Sequence, residues 1–319
     1  MASLKNDGYQ FCRHMTLVTT KSMLKNAQAG GYAVGHFNTS NLEFSQAIIS
    51  AAEEMNSPVI VATSKSAIVY AGFDNLGATV RNLARKATVP VALHLDHGPN
   101  FSYVRECVKH GWTSIMRDAS ACPFKQNVRE IQKTVRFCHR HRIPVEAELG
   151  MLKGEEGWVR SEEHVFTDPD EAREFVRLTN CDSLAISVGT SHGVYKFSGT
   201  PKLDLKRLSE IADKVNVPLV LHGASSEPLE LIESANKFGA QLKGVKGVPE
   251  KQIKEAIKRG ICKVNTDTDL RLEFLESLRA YLKLNPKVID PRKILGDARN
   301  ELRKHVERRM KMLGSVGRV

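Results

Sequence analysis

The run His94-Leu95-Asp96-His97-Gly98 places a carboxylate beside imidazoles, closing the apolar stretch Pro90-Val91-Ala92-Leu93. Two more apolar runs end in histidine. Leu184-Ala185-Ile186-Ser187-Val188 leads into Gly189-Thr190-Ser191-His192-Gly193, and Pro218-Leu219-Val220-Leu221 leads into His222-Gly223. Read singly, each histidine is an ordinary hydrogen-bonded structural residue. As a set at three strand ends, His97, His192 and His222 can converge on one zinc or similar divalent ion that keeps open positions. His94 lies within its run and reads as scaffold. An ion beside Asp96 suits proton chemistry next to a carbonyl: the metal polarises the carbonyl and stabilises an enediolate, while Asp96 exchanges a proton with the partner oxygen.

These residues need a frame that brings distant strand ends together. Proline opens the runs Ser57-Pro58-Val59-Ile60-Val61, Val89-Pro90-Val91-Ala92-Leu93, Ile143-Pro144-Val145-Glu146 and Val217-Pro218-Leu219-Val220-Leu221, at the one strand position where it removes no ladder hydrogen bond. Runs at 32–38, 113–118, 183–189 and 261–265 bring the total to eight strands alternating with amphipathic helical segments. Continuously apolar strands are buried on both faces, and strict alternation with helices implies parallel pairing. The fold expected is α/β, a single (β/α)8 TIM barrel. The rival open, doubly wound sheet lacks a GxGxxG turn after its first strand. Ser40-Asn41-Leu42-Glu43 reads as a capping box, and Thr167-Asp168-Pro169-Asp170 caps a later helix. Two extra C-terminal helices, at 272–284 and 291–313, are left to cross the barrel or form a subunit interface.

Barrel chemistry sits at the C-terminal strand ends. In order these are Asn38, Ser64, Asp96 with His97, Asp118, Glu148, His192, His222, and Asn265 with Asp267. All are polar. Asp118 and Glu148 are placed to orient the imidazoles from behind. The turns at 189–193 and 222–226 carry glycines and hydroxyls that can turn backbone N–H groups toward a phosphate.

Size and charge bound the reading. The chain has 319 residues, 41% of them hydrophobic, enough for one large domain over 16–319, with 1–15 expected to be a disordered tail. No apolar run approaches the ~20 residues of a membrane span, and the first residues lack a secretory segment. The six cysteines lie far apart with no CxxC pair, so they read as reduced thiols in the cytoplasm. The net charge is +11, and residues 271–319 hold 13 Lys and Arg against 6 Asp and Glu. Those charges alternate with apolar residues at helical spacing, which favours a solvated helix face over a nucleic-acid surface, and the positive field suits an anionic substrate. Neither nucleic acid nor membrane is expected as a partner.

From about residue 16 onward the chain resembles the class II, metal-dependent fructose-bisphosphate aldolases. The matching stretches run in order: LHLDHG, VEAELG, TDPDEA, VGTSHGVYK, VPLVLHGASS, KVNTDTDLR, DPRK and GSVGR. The resemblance implies reversible cleavage of fructose 1,6-bisphosphate to dihydroxyacetone phosphate and glyceraldehyde 3-phosphate. It also implies a role in glycolysis and gluconeogenesis, and a homodimer or homotetramer. It implies that His97, His192 and His222 hold Zn2+ or another divalent ion, and that Asp96 handles the C4 hydroxyl proton. Glu156 by register, with Glu155 second, is the base on the loop at 152–157. Gly193, Lys196, Gly223, Ser225, Asn265, Asp267 and Thr268 are implied to hold dihydroxyacetone phosphate, with Asn38 and Ser64 nearby. Gly193 and Lys196 also match a monovalent-cation site. Asp267 and Arg271 favour the fructose sugar over tagatose 1,6-bisphosphate, which is the alternative substrate. The remote alternative is an inactive barrel that binds nucleic acid. Arg117, Lys125 and His36 depart from the usual pattern, each adding charge or a donor near the strand ends.

Overall fold

Strands apolar along their whole length must be covered on both faces, and a closed barrel wrapped by helices covers them. The computed structural model describes residues 16–151, 154–156, 159–161, 165–190, 202–226 and 228–319. In chain order its strands are β1 (Val34–Asn38), β2 (Val59–Ser64), β3 (Val91–Gly98), β4 (Ser114–Arg117), β5 (Val145–Leu149), β6 (Gly154–Glu156), β7 (Val159–Ser161), β8 (Ser183–Ile186), β9 (Leu219–Leu221) and β10 (Ile261–Thr266). Eight close into a parallel barrel in the order β1-β10-β9-β8-β5-β4-β3-β2, and β6 pairs with β7 as a separate antiparallel hairpin.

The helices are α1 (Thr20–Gly30), α2 (Leu42–Glu54), α3 (Lys65–Ala71), α4 (Phe73–Ala84), α5 (Phe101–Lys109), α6 (Phe124–Arg140), α7 (Pro169–Thr179), α8 (Leu205–Lys214), α9 (Leu229–Lys237), α10 (Glu250–Lys258), α11 (Thr268–Leu284) and α12 (Pro291–Leu313). None among the described residues is long and apolar enough to cross a membrane. Asp168 caps α7 by accepting from the Asp170 and Glu171 N–H groups, with Pro169 in the first turn. The capping box expected at Ser40 is instead an Asn41 cap, whose side-chain oxygen accepts from Phe44 N at 3.0 Å. The first C-terminal helix starts at Thr268, four positions before the expected start, because α11 follows β10 with one intervening residue. The second, α12, packs against α2 and α11.

Side chains alternate across each strand. Along β1, Phe37 joins the large cluster under the helices with Ile48, Val61 and Leu93, while Val34 joins an inner cluster with Ile60, Ala92 and Cys262. Helix α1 stoppers that inner cluster at the N-terminal end of the barrel with Met23, Leu24 and Ala27. Above the stopper the inward positions turn polar. Register lines up His36 with Asn265, Ala62 with His94, and Ser64 with Asp96. The barrel therefore has an apolar floor and a polar upper interior.

Candidate active site

The β3–β4 ladder breaks between Leu95 and Gly98. A Cβ on Gly98 would stand 2.5 Å from the Met116 carbonyl oxygen, so glycine is what lets β4 approach this closely. The break turns His97 to φ 45°, a left-handed conformation costly for a residue with a side chain and characteristic of functional sites. Its Nδ1 lies 2.8 Å from Asp118 Oδ2, while Asp118 Oδ1 accepts from Ser120 N at 3.0 Å and Oγ at 2.8 Å. His97 Nε2 then faces His222 Nδ1 at 2.9 Å. His222 is backed in the same manner, its Nε2 lying 2.9 Å from Glu146 Oε1. Both Glu146 oxygens accept from Lys263 Nζ at 2.8 Å, deep in the barrel. Glu148 Oε2 stands 3.8 Å from His97 Nδ1, within ion-pair range but beyond a hydrogen bond.

Two imidazoles that point nitrogens at each other, each steadied from behind by a carboxylate, form the ligand geometry of a metal site. Asp96, His97 and His222 offer ligand atoms within 4.8 Å of one another, as do His97, Asp118 and Glu148. The field agrees. Burial works against a charged His97 ring, yet Asp96, Asp118 and Glu148 outweigh it and hold its pKa well above the usual histidine value. Burial opposes an ionised Asp96 too, and His36, His97 and His222 overcome it, keeping the carboxyl well below its usual range. The residues present therefore fit a divalent cation: the site gathers positive charge where nitrogen and oxygen donors meet.

Around this centre, Asn38 Nδ2 donates to Asp96 Oδ2 at 2.9 Å. Asn265 Nδ2 reaches Asp96 Oδ1 at 3.4 Å and lies 3.1 Å from His222 Nδ1. Ser64 is buried beside Asp96 and caps α3 through Ala67 N. Gly223 has φ 59°, which turns the chain after His222. Ser225 Oγ then accepts from Asp267 N at 3.4 Å, joining the loops that follow β9 and β10. Asp267 and Arg271 pair bidentately, at 2.9 and 2.6 Å, and Thr268 is buried at the start of α11. His192, Gly193, Lys196 and the side chains of Glu155 and Glu156 lie outside the described residues; the backbone of the expected loop carries β6.

Three residues here were not singled out from sequence. Glu146 and Lys263 stand two positions before Glu148 and Asn265, so strand periodicity placed them on the same inner face. Arg309 of α12 carried no local signal. It is buried and donates to Ser226 Oγ, the Ala224 carbonyl and Thr266 Oγ1, bracing both site loops.

A parallel barrel with a carboxylate-backed imidazole centre at its C-terminal mouth defines a metal-dependent barrel enzyme. A model of the family described as fructose-bisphosphate aldolase class-II matches residues 18–318. The chain is 49% identical over 304 residues to a fructose-bisphosphate aldolase of Thermus caldophilus, covering 95% of this chain and 99% of that one. It is 43% identical over 306 residues to that of Helicobacter pylori strain 26695, covering 95% and 100%. Among solved structures, the YdjI aldolase from Escherichia coli K12 superposes with a TM-score of 0.79 at 34% identity, covering 95% and 99%. The fructose-bisphosphate aldolase of Campylobacter jejuni, 22% identical with a TM-score of 0.76 over 96% and 97%, shares the fold. The chain belongs to the class-II fructose-bisphosphate aldolase family, a family of lyases that implies a divalent metal and a sugar phosphate substrate.

Proposed function

We propose that this chain cleaves fructose 1,6-bisphosphate reversibly to dihydroxyacetone phosphate and glyceraldehyde 3-phosphate, with zinc at His97, His192 and His222. The observation that carries the reading is the His97–His222 pair, nitrogen to nitrogen at 2.9 Å, with buried Asp96 offering a ligand-range oxygen beside it. When bound, the ion supplies Lewis-acid polarisation of the substrate's ketone oxygen. Asp96, ionised and steadied by Asn38 and Asn265, takes the C4 hydroxyl proton as the C3–C4 bond breaks, and C4 leaves as the aldehyde. Glu156 then returns a proton to C3. Ser225 with the Gly223 turn and Thr268 holds the first phosphate, and Asp267 fixes the Arg271 guanidinium to grip the second. Asp118 and Glu148 steady the metal centre from behind.

The exposed apolar side chains Leu284 and Ile289 support assembly into a homo-oligomer. Buried thiols such as Cys138 and Cys181 suit a cytoplasmic setting.

The test is cleavage of the fructose bisphosphate and of its C4 epimer, tagatose 1,6-bisphosphate, before and after chelation and with zinc restored. We expect activity on the fructose sugar to vanish on chelation and return with zinc. Activity that survives complete metal removal overturns the mechanism, and equal or faster cleavage of the tagatose sugar overturns the substrate.

A further inference from the structure

Beneath the His97–His222 pair lies a second set of donors, of which the aldolase reading uses only Asp96. We infer that His36, His94 and Asp96 form a second cation site inside the barrel, for a late first-row divalent ion such as zinc. His36 and His94 are fully buried and Asp96 is 1% exposed. Neither ring nitrogen of His36 finds a hydrogen-bond partner among the described residues, nor does His94 Nε2. A buried polar atom left unpaired is costly, and His36 Nδ1 and His94 Nε2 share one chamber in which His36 Nε2 meets only Asp96 Oδ1 at 3.5 Å, a specific demand for a ligand.

The geometry supplies one. The two rings meet edge to face with centroids 5.3 Å apart, and His36 Nε2 stands 3.5 Å from Asp96 Oδ1. One ligand atom from each residue lies within 4.8 Å of the others. Donors bound tetrahedrally at ~2.1 Å sit roughly 3.4 Å apart, so the His36–Asp96 edge already has that length and small ring rotations close the rest. His94 has its outer support: Nδ1 lies 2.8 Å from Ser114 Oγ, which is 2.9 Å from Thr20 Oγ1 of α1.

Lys263 is the cation near both rings, and Glu146 neutralises it with two 2.8 Å contacts, leaving Asp96 as an uncancelled negative charge in this set. Two imidazoles and one carboxylate select zinc, cobalt, nickel, copper or iron over magnesium and calcium.

Asp96 belongs to both donor sets, the inner one with His36 and His94 and the outer one with His97 and His222. An ion in the inner site therefore holds the carboxylate needed for proton transfer, and excess zinc slows turnover. This inhibitory consequence rests on the proposed role of Asp96; the binding itself does not.

The test titrates zinc into the metal-stripped full chain against a chromophoric chelator. Two equivalents are expected for the unaltered chain, one for His36→Gln and one for His222→Ala, with inhibition by excess zinc absent in His36→Gln. A single equivalent that survives His36→Gln and is lost in His222→Ala overturns the inner site and leaves the active-site reading intact. A single equivalent with the opposite pattern keeps the inner site and overturns that reading. Should His36→Gln fail to fold, cobalt titration of the unaltered chain decides: a second equivalent that adds d–d bands of a low-symmetry nitrogen and oxygen site supports the proposal, and one that adds only solvated cobalt overturns it.

Discussion

The Lys263 ammonium sits between the two oxygens of Glu146, 2.8 Å from each, and neither group reaches solvent. Removing one member of such a pair strands a charge in the barrel, at a cost of about 3–5 kcal/mol. Lys263→Met should therefore lower the thermal midpoint sharply, and Lys263→Met with Glu146→Gln should recover much of the loss. Calorimetry on the four proteins checks this. Additive losses in the double variant would show that the two charges are not coupled.

Asp96 is proposed to move a proton, and His97 and His222 to hold the ion. Asp96→Ala should keep the outer metal and lose roughly 10²- to 10⁴-fold in kcat, the usual range for a general acid–base group. Metal content and cleavage rate, measured on the same sample, separate the roles. An Asp96→Ala protein emptied of the outer ion contradicts the assignment.

Arg271 is more than half exposed, and Asp267 holds its guanidinium at both ends. Charge-assisted hydrogen bonds contribute about 1.5–3 kcal/mol each, so Arg271→Ala should raise KM for the bisphosphate by roughly 10- to 100-fold. The effect on fructose 1-phosphate, which lacks the second phosphate, should be small. Equal losses on both substrates would mean that Arg271 acts elsewhere.

Burial pushes the Cys138 and Cys181 thiols up to about 12. The reactive form is the thiolate, so at pH 8 both should react ~10³-fold more slowly with a disulfide reagent than an ordinary thiol. Among the described cysteines, half-buried Cys122 should react first. A raised pKa means the unfolded chain gives up these protons before the folded one does. The stability they contribute is complete below the ordinary thiol pKa and falls as pH rises toward 12. Urea midpoints should decline above about pH 9. Fast reaction of Cys181 in the native protein would contradict its burial.

Much of the fold was legible because barrel strands leave two simple marks: proline at the start, and apolar runs that end in a polar residue. Val89-Pro90 and Val217-Pro218 both open strands whose ends carry site residues. What eluded the sequence is what a linear pattern does not encode. Glu146 reads only as part of a strand start, although its inward parity matches that of Glu148. His94 reads as scaffold because it lies within its strand, and its neighbours His36 and Ser114, which come from other strands, leave no mark beside it in the sequence. Arg309 is the clearest case: it reaches Ala224 from 85 positions away, and only the packing of α12 on the barrel reveals the contact.

His97 and His222 are 125 positions apart, and their nitrogens meet only once the barrel has closed. An ion held between them is also a clasp that joins the two halves of the sequence, and clasps over long spans restrict the unfolded chain most. With the proposed ion in that place, metal supply governs persistence as well as rate. In a metal-starved cell, the same enzyme would be lost to proteolysis as well as idled.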